Sequence, residues 1–217
     1  MAGKLRGAGN SRHEPATSTD FFPTPAWGTR GLMEHVMKPL KLYDKTHKVW
    51  EPACGAMHMT RALSEYYRHR SVYSSDLEPR ADPTGYYCGD TLDFLDYSIE
   101  PMIGCDWVIT NPPFNKFIQF FERAMAAADV GVALLAPLTI IETKARYKSI
   151  YEPYKARFCI APFVERLPII KNRVNKEAGT ARAYCWLIVM NQRRHKLPPL
   201  LHIPPCRDEL EKEGDYI

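Results

Sequence analysis

The sequence lacks the features that mark membrane and secreted proteins. Its longest apolar stretch, residues 130–141, is interrupted by Gly131, Pro137 and Thr139, and is too short to cross a bilayer. The first fifteen residues contain basic side chains but no apolar segment behind them, so they do not form a secretory signal. These absences predict a soluble protein without a membrane partner, located in the cytoplasm.

Metal-binding and disulfide patterns are also lacking. The six cysteines include no CxxC pair, and the seven histidines show no ligand spacing. Without a signal peptide, a disulfide framework is not expected, and without paired ligands a zinc site is not expected. The sequence therefore predicts no metal.

What is present is the composition of one globular domain. The chain has 217 residues, of which 45% are hydrophobic and 25% charged, enough to bury a core. Residues 1–19 are rich in Gly, Ser, Thr and Arg and predict a flexible tail. We expect one globular domain over residues 20–204 and a charged C-terminal tail over residues 205–217.

Strand and helix patterns alternate along that domain. Strands are predicted at 48–53, 71–75, 106–110, 130–136 and 181–190, with a short one near 86–88, and helices at 26–37, 57–67, 114–128 and 144–151. This alternation predicts a parallel sheet covered on both faces. Ligands then bind at the carboxyl ends of the strands.

Acidic residues follow the first two predicted strands. Glu51 opens the turn EPACG, in which Gly55 lets the backbone pass close to a ligand. Asp76 ends the next strand, where an acid can accept hydrogen bonds from a ribose diol. The pattern indicates a nucleoside-containing cofactor. The absence of GxGxxG and GxxxxGK[ST] argues against NAD and against a P-loop nucleotide site.

The third loop is NPPF, residues 111–114, directly after the strand DWVIT. Its two prolines fix the backbone, which presents the Asn111 side chain and the Pro112 carbonyl rigidly at the strand end. Both can accept hydrogen bonds from one –NH2 group and so return the lone pair to its nitrogen. Phe114 can stack on the ring that carries the amine. The loop predicts a substrate with an exocyclic amine on a heteroaromatic base.

Positive charge is concentrated after these loops. Residues 144–182 contain ten Lys or Arg and three Glu, although the whole chain has a net charge of only +4. A basic segment of this kind favours a polyanionic partner, and Lys171, Arg173 and Lys176 are the predicted phosphate contacts.

The order of the motifs resembles that of the SAM-dependent DNA methyltransferases (SAM is S-adenosylmethionine) that modify amino groups, above all the short N6-adenine enzymes of phages and bacteria. The resemblance covers residues 20–190. The matching segments are 20–25 (DFFPTP), 50–55 (WEPACG), 76, 93–95 (DFL), 106–114 (DWVITNPPF), 165–168 (ERLP) and 180–186 (TARAYCW). It implies a Rossmann-like class I SAM-dependent methyltransferase fold, α/β, with a mostly parallel seven-stranded sheet and helices on both faces.

The resemblance also assigns the site. The catalytic loop is Asn111, Pro112, Pro113 and Phe114. The residues assigned to SAM are Phe22, Pro23, Thr24, Glu51, Pro52, Ala53, Cys54, Gly55, Asp76, Leu77, Asp93, Phe94 and Asn111. Asp93 would contact the adenine amine of SAM, with Asp90 as the alternative. Met57 stands where the family usually has a second glycine, so its side chain is expected near the methionine part of SAM.

The implied function is methylation of N6 of a flipped adenine in DNA, in a bacterial cell or a phage-infected host, as in restriction-modification. The protein would act as a monomer or a weak homodimer without a metal. The same loop also serves N4-cytosine methylation, methylation of adenine in RNA and methylation of a glutamine amide, although the glutamine enzymes usually have Tyr in place of Phe114. A cofactor-binding scaffold without activity is the alternative from a different class.

Overall fold

The protein is described by a computed structural model over residues 21–78, 80, 89–98, 104–180, 182–192 and 195–216. The tail predicted over residues 1–19 and the strand predicted near 86–88 lie outside the described residues.

Seven strands form one sheet in the described residues. They are β1 (Val49–Glu51), β2 (Val72–Asp76), β3 (Asp90–Thr91), β4 (Cys105–Thr110), β5 (Ala128–Pro137), β6 (Phe158–Pro162) and β7 (Tyr184–Met190). Their order is β3-β2-β1-β4-β5-β7-β6. All neighbours pair in parallel except β7, which is antiparallel to β5 and to β6. The strand order reverses between β1 and β4, which is the place where such sheets bind ligands.

Helices cover both faces of the sheet. The first helix comprises α1 (Ala26–Leu32) and a π-helical turn (Met33–Met37), and α2 (His58–Ser64) packs beside it. Phe114–Lys116 forms a 3₁₀ turn that leads into α3 (Phe117–Ala127). A second 3₁₀ turn (Leu138–Ile141), α4 (Lys144–Arg146) and a π-helical turn (Tyr147–Tyr151) follow β5, and α5 (Arg207–Leu210) lies near the end of the chain.

The central strands are buried on both sides, which accounts for their nearly continuous apolar sequences. In β4, Trp107 and Ile109 pack on the same side as α1 and α2, whereas Val108 faces α3. Along β7, Trp186 and Leu187 alternate in the same way. The predicted α/β fold with a mostly parallel seven-stranded sheet and helices on both faces is therefore confirmed.

The charged segment at the C-terminus is packed against the domain. Asp215 is buried and accepts hydrogen bonds from both terminal nitrogens of Arg30, at 2.6 and 2.8 Å. Arg30 also donates to Glu65, and Lys212 pairs with the same glutamate at 2.7 Å. This network fastens the end of the chain to α1 and α2. Among the described helices, none is both long and apolar enough to cross a membrane.

Candidate active site

A cavity of about 450 Å³ lies at the carboxyl ends of β1, β2 and β4, a volume suited to a cofactor. The structure brings together in it every residue that the sequence assigned to SAM or to catalysis. These lining residues are Phe22, Pro23, Thr24, Glu51, Pro52, Ala53, Cys54, Gly55, Asp76, Leu77, Asp93, Phe94, Asn111, Pro112, Pro113 and Phe114.

The Asn111 side chain is held in one orientation at the end of β4. Its Nδ2 donates to the Phe22 carbonyl at 2.8 Å and to Thr24 Oγ1 at 3.2 Å. Its Oδ1 is buried and has no hydrogen-bond partner among the described residues. Because a buried acceptor without a partner is costly, this oxygen is prepared for a donor that a ligand brings.

The Pro112 carbonyl follows Asn111 in the same loop. No hydrogen bond from the described part of the chain reaches it. Pro113 sits in extended conformation and accepts from the Lys116 N–H at 3.0 Å, which closes the turn into α3. The loop therefore leaves two adjacent acceptors, Asn111 Oδ1 and the Pro112 carbonyl, available to one –NH2 group.

Three aromatic rings stand beside these acceptors. The ring centroid of Phe114 is 6.1 Å from that of Phe22 and 6.2 Å from that of Tyr184, with tilted planes. Phe114 and Phe22 are each partly buried and line the cavity. The rings of Phe114 and Phe22 give a planar ligand a face to stack on.

Asp76 holds the turn after β1 as well as lining the cavity. Its Oδ2 accepts from the Gly55 N–H at 2.7 Å and its Oδ1 from the Glu78 N–H at 2.9 Å. Gly55 has φ +50°, and a Cβ there would stand 2.5 Å from the Phe21 ring, so only glycine fits the turn. A carboxylate has about four lone-pair sites, so Asp76 keeps acceptors for ribose hydroxyls.

Glu51 is buried at the end of β1, with 2% of its surface exposed. The pKa of its carboxyl is raised to about 8, mainly by burial and also by the nearby Asp76 charge, although a hydrogen bond from the Thr60 hydroxyl acts to lower it. At neutral pH the carboxyl is therefore mostly protonated. A cationic group in the cavity would favour its ionised form.

Asp93 and Asp90, the two candidates for the adenine amine of SAM, differ in their position relative to the cavity. Asp93 lines the cavity and accepts from the Leu95 N–H through Oδ1 at 2.9 Å. Asp90 lies within β3, accepts from the Tyr73 hydroxyl at 2.8 Å and is not among the lining residues. Of the two, only Asp93 is placed to meet a ligand in this cavity.

Met57 does not crowd the cavity, contrary to the expectation from the missing glycine. It has φ +67°, in the left-handed region, which explains why glycine suits the position. Ala56, His58 and Met59 line the cavity, whereas Met57 does not. The substitution strains the backbone without filling the site.

Several residues that line the cavity were not predicted from the sequence. Arg80 lies over the Phe21 ring at 4.4 Å, and both line the cavity, as do Asn115 and Lys116. Arg80 sits in a turn-rich segment without periodicity, and no local signal marks it. Asn115 and Lys116 follow NPPF directly, so their position at the cavity could have been predicted from that motif.

The predicted phosphate contacts lie on a loop beside the cavity. The Asn172 N–H donates to the carbonyl of Phe21 at 2.8 Å, which ties the loop carrying Lys171 and Arg173 to the cavity wall. Lys176 pairs with Glu211 at 2.5 Å, so a carboxylate already offsets part of its charge. In the described ranges, no cluster of three or more His, Cys, Asp or Glu is arranged to hold a metal.

Known structures of similar fold come from methyltransferases. The EcoKI M protein of a type I restriction enzyme superposes with a TM-score of 0.57 at 12% identity, over 84% of this chain and 48% of its own. A type I restriction-modification methyltransferase subunit from Streptococcus thermophilus gives 0.52 at 12% identity, over 91% of this chain and 49% of its own. A class I SAM-dependent methyltransferase from Listeria monocytogenes gives a TM-score of 0.52 at 16% identity, over 82% of this chain and 64% of its own.

These likenesses show the fold: the chain has the Rossmann-like architecture of class I SAM-dependent methyltransferases. It spans about half the length of the two type I proteins. No protein-family model matches the sequence, and no curated protein matches it significantly.

Proposed function

We propose that this protein transfers the methyl group of SAM to the N6 amine of adenine in DNA. The observation that supports the proposal most strongly is the hydrogen bonding of the Asn111 side chain. Its amide nitrogen is occupied by Phe22 and Thr24, whereas its buried Oδ1 has no partner among the described residues. An amine donor from a substrate would complete this arrangement.

The chemistry of the cavity fits SAM. Three lining carboxyl groups, those of Glu51, Asp76 and Asp93, match an ammonium group, a ribose diol and an adenine amine respectively. The aromatic faces of Phe22 and Phe114 suit a positively charged sulfonium. When bound, SAM would supply an electrophilic methyl group on that sulfonium.

Activation of the amine is the task of the loop. An amine conjugated to a heteroaromatic ring is a poor nucleophile because its lone pair is delocalised. Asn111 Oδ1 and the Pro112 carbonyl would each accept a hydrogen bond from one of its N–H groups. The two hydrogen bonds would favour a pyramidal nitrogen. These two acceptors would keep the nitrogen lone pair available to the methyl group that SAM would supply, with the electrons of the methyl–sulfur bond remaining on sulfur and one proton of the amine passing to solvent. Most of the acceleration would come from positioning.

An adenine inside a duplex cannot reach this cavity. It must be flipped out or presented in a single strand. Phe114, with Phe22 and Tyr184 beside it, would receive the flipped ring. The basic loop that carries Lys171 and Arg173 adjoins the same wall through Asn172 and Phe21, which favours a nucleic acid over a protein amide. The preference for adenine and for DNA rests on the motif resemblance.

The test compares two carbamoyl side chains. Asn111→Ala removes the unpaired oxygen, and Gln119→Ala removes an exposed amide from α3, outside the cavity. Each protein is incubated with SAM and unmethylated DNA or RNA, and the nucleosides are identified by mass spectrometry. We expect N6-methyldeoxyadenosine from the wild type and from Gln119→Ala, and a loss of at least about 100-fold in Asn111→Ala, comparable to the loss of one group that stabilises a transition state.

Other products would redirect the proposal. N4-methylcytosine would retain the mechanism and change the base, and label found only in RNA would change the substrate. SAM and DNA binding without any product would support the inactive scaffold. Equal turnover by Asn111→Ala would contradict the assigned role of Asn111.

A further inference from the structure

A second cavity adjoins the first. It has a volume of about 650 Å³ and lies where β5 ends and β7 begins. Phe114 lines both cavities, so the ring forms part of the boundary between them. If a ligand stacks one group on Phe114 in the first cavity, the part of the ligand bonded to that group can therefore extend into the second cavity.

Two arginines give this cavity its charge. Arg146 donates through Nη1 to the carbonyls of Thr139 at 2.8 Å and Glu142 at 3.2 Å, which fixes its guanidinium without neutralising it. Arg182 is exposed and also lines the cavity. Neither arginine forms a salt bridge with a carboxylate of the described residues. Of the described residues that line it, Glu142 is the single acidic one.

Apolar side chains stand at the edge of this cavity. Ile141 lines it and is 55% exposed, and Tyr147, adjacent to Arg146 in the chain, is 50% exposed. Lys144 and Lys148 are exposed on the same short helical segment. Flat or apolar faces interleaved with cations suit a nucleic-acid strand, because each nucleotide offers a base face and a phosphate.

We propose that the second cavity binds the nucleotide next to the methylated one, with Arg146 and Arg182 at its phosphate. The inference rests on the proposed function, since the methylated base would occupy the Phe114 side of the first cavity. Guanidinium groups bind phosphate oxygens in paired hydrogen bonds. The two arginines thus set the register of the strand, while Asn111 and Phe114 select the amine.

The experiment measures binding without SAM and without turnover. The anisotropy of a fluorescent single-stranded oligonucleotide is followed across KCl concentrations for the wild type and for Arg146→Gln/Arg182→Gln. We expect weaker binding by the variant and a log K against log[salt] slope that is shallower by roughly 0.7 to 1.4, the equivalent of one or two phosphate contacts on single strands. An unchanged slope and affinity would overturn the proposal.

A matched control carries the same change in charge elsewhere. Lys45 and Arg68 are exposed and precede β1 and β2, at the edge of the sheet opposite both cavities. Lys45→Gln/Arg68→Gln should bind like the wild type, and an equal loss there would reduce the effect to net charge and overturn the site. Arg182→Gln alone keeps the Arg146 hydrogen bonds intact, so a partial loss in it excludes local misfolding as the cause.

Two further binding measurements distinguish a phosphate contact from other causes of weaker binding. A methylphosphonate beside the only adenine of the oligonucleotide removes the charge of one phosphate. It should weaken binding by the wild type and leave the double variant unaffected. Equal competition by polyglutamate would instead identify an acidic peptide and contradict the proposal. Because no arm needs methyl transfer, a wild type without activity would disprove the proposed function while this test still decides what the second cavity binds.

Discussion

The two cavities that meet at Phe114 differ in the charge of their walls. Among the described residues, the lining of the first contains four carboxyl side chains and two Lys or Arg, whereas that of the second contains one carboxyl side chain and two arginines. Acids suit the ammonium and hydroxyl groups of a cofactor, and arginines suit the phosphates of a strand. The difference in charge agrees with the two proposed ligands, a cofactor on one side of Phe114 and a nucleic-acid strand on the other.

Among the single substitutions at one pH, the largest expected effect comes from a residue outside both cavities. Asp215→Ala removes the buried partner of Arg30 and leaves Glu65 as its remaining carboxylate. Breaking a buried ion pair costs about 3 kcal/mol or more, so the free energy of unfolding should fall by about that amount in urea titrations. Glu213→Ala, at an exposed position of the same segment, is the control. A change below about 1 kcal/mol would show that the network is not structural.

Asp76→Ala should impair the first cavity alone. It removes the acceptor of the Gly55 and Glu78 N–H groups together with the acceptor we assign to the ribose. We expect the Kd for SAM to rise about 30- to 150-fold, equivalent to the loss of charge-assisted hydrogen bonds, as measured by calorimetry. Asp90→Ala, outside the cavity, should have little effect. Equal loss of oligonucleotide binding in Asp76→Ala would break the division between the cavities.

Glu51 predicts a pH dependence of stability. Its pKa is about 8 in the folded protein, raised by burial from an ordinary value of 4.5. Between these values the folded state holds a proton that the unfolded state has lost. The stabilising contribution is therefore complete below pH 4.5 and decreases as pH rises to 8, by up to about 1.4 kcal/mol per pH unit.

Glu51→Gln should remove this slope. The free energy of unfolding is measured from pH 5 to pH 8 for both proteins, and the variant should depend on pH less steeply. Calorimetry of SAM binding at pH 7 in buffers of different ionisation enthalpy should also show more proton release by the wild type than by Glu51→Gln. Parallel stability profiles for the two proteins would contradict the assignment.

The smallest effects are expected on the loop of residues 171–176. Arg173→Gln should weaken DNA binding a few-fold and flatten its salt slope by roughly 0.9, as for one phosphate contact. Lys176→Gln should do less, because Glu211 already pairs with Lys176. Salt titrations of both variants measure the difference. A larger effect from Lys176 would mean that its pair with Glu211 opens on binding.

Much of the first cavity could be predicted from sequence because its residues follow strands that local patterns mark. The run DWVIT ends at two prolines, and both the strand β4 and the loop after it are observed where expected. The turn at Gly55 and the acid at the end of β2, which the sequence assigns to SAM, were predicted for the same reason. In a parallel sheet, the loops at the carboxyl ends of the strands lie at the same edge, so a correct prediction of the strands also predicts where these loops meet.

The remaining features depend on contacts between distant residues. Strand β6 (Phe158–Pro162) was not predicted because its five residues follow a turn and show no alternation. Arg30 and Asp215 are 185 residues apart, and nothing local marks either one. The second cavity is formed by the ends of β5 and β7 with the segment after β5, an arrangement that only the antiparallel pairing of β7 produces.

The most direct test of the role of Asn111 is a crystal structure with S-adenosylhomocysteine and an oligonucleotide containing one adenine. We expect the product cofactor among Glu51, Asp76 and Asp93, and the adenine N6 about 3 Å from Asn111 Oδ1, the distance of a hydrogen bond. The next phosphate should lie at Arg146 and Arg182. An adenine whose N6 contacts neither Asn111 nor the Pro112 carbonyl would contradict the role assigned to this loop.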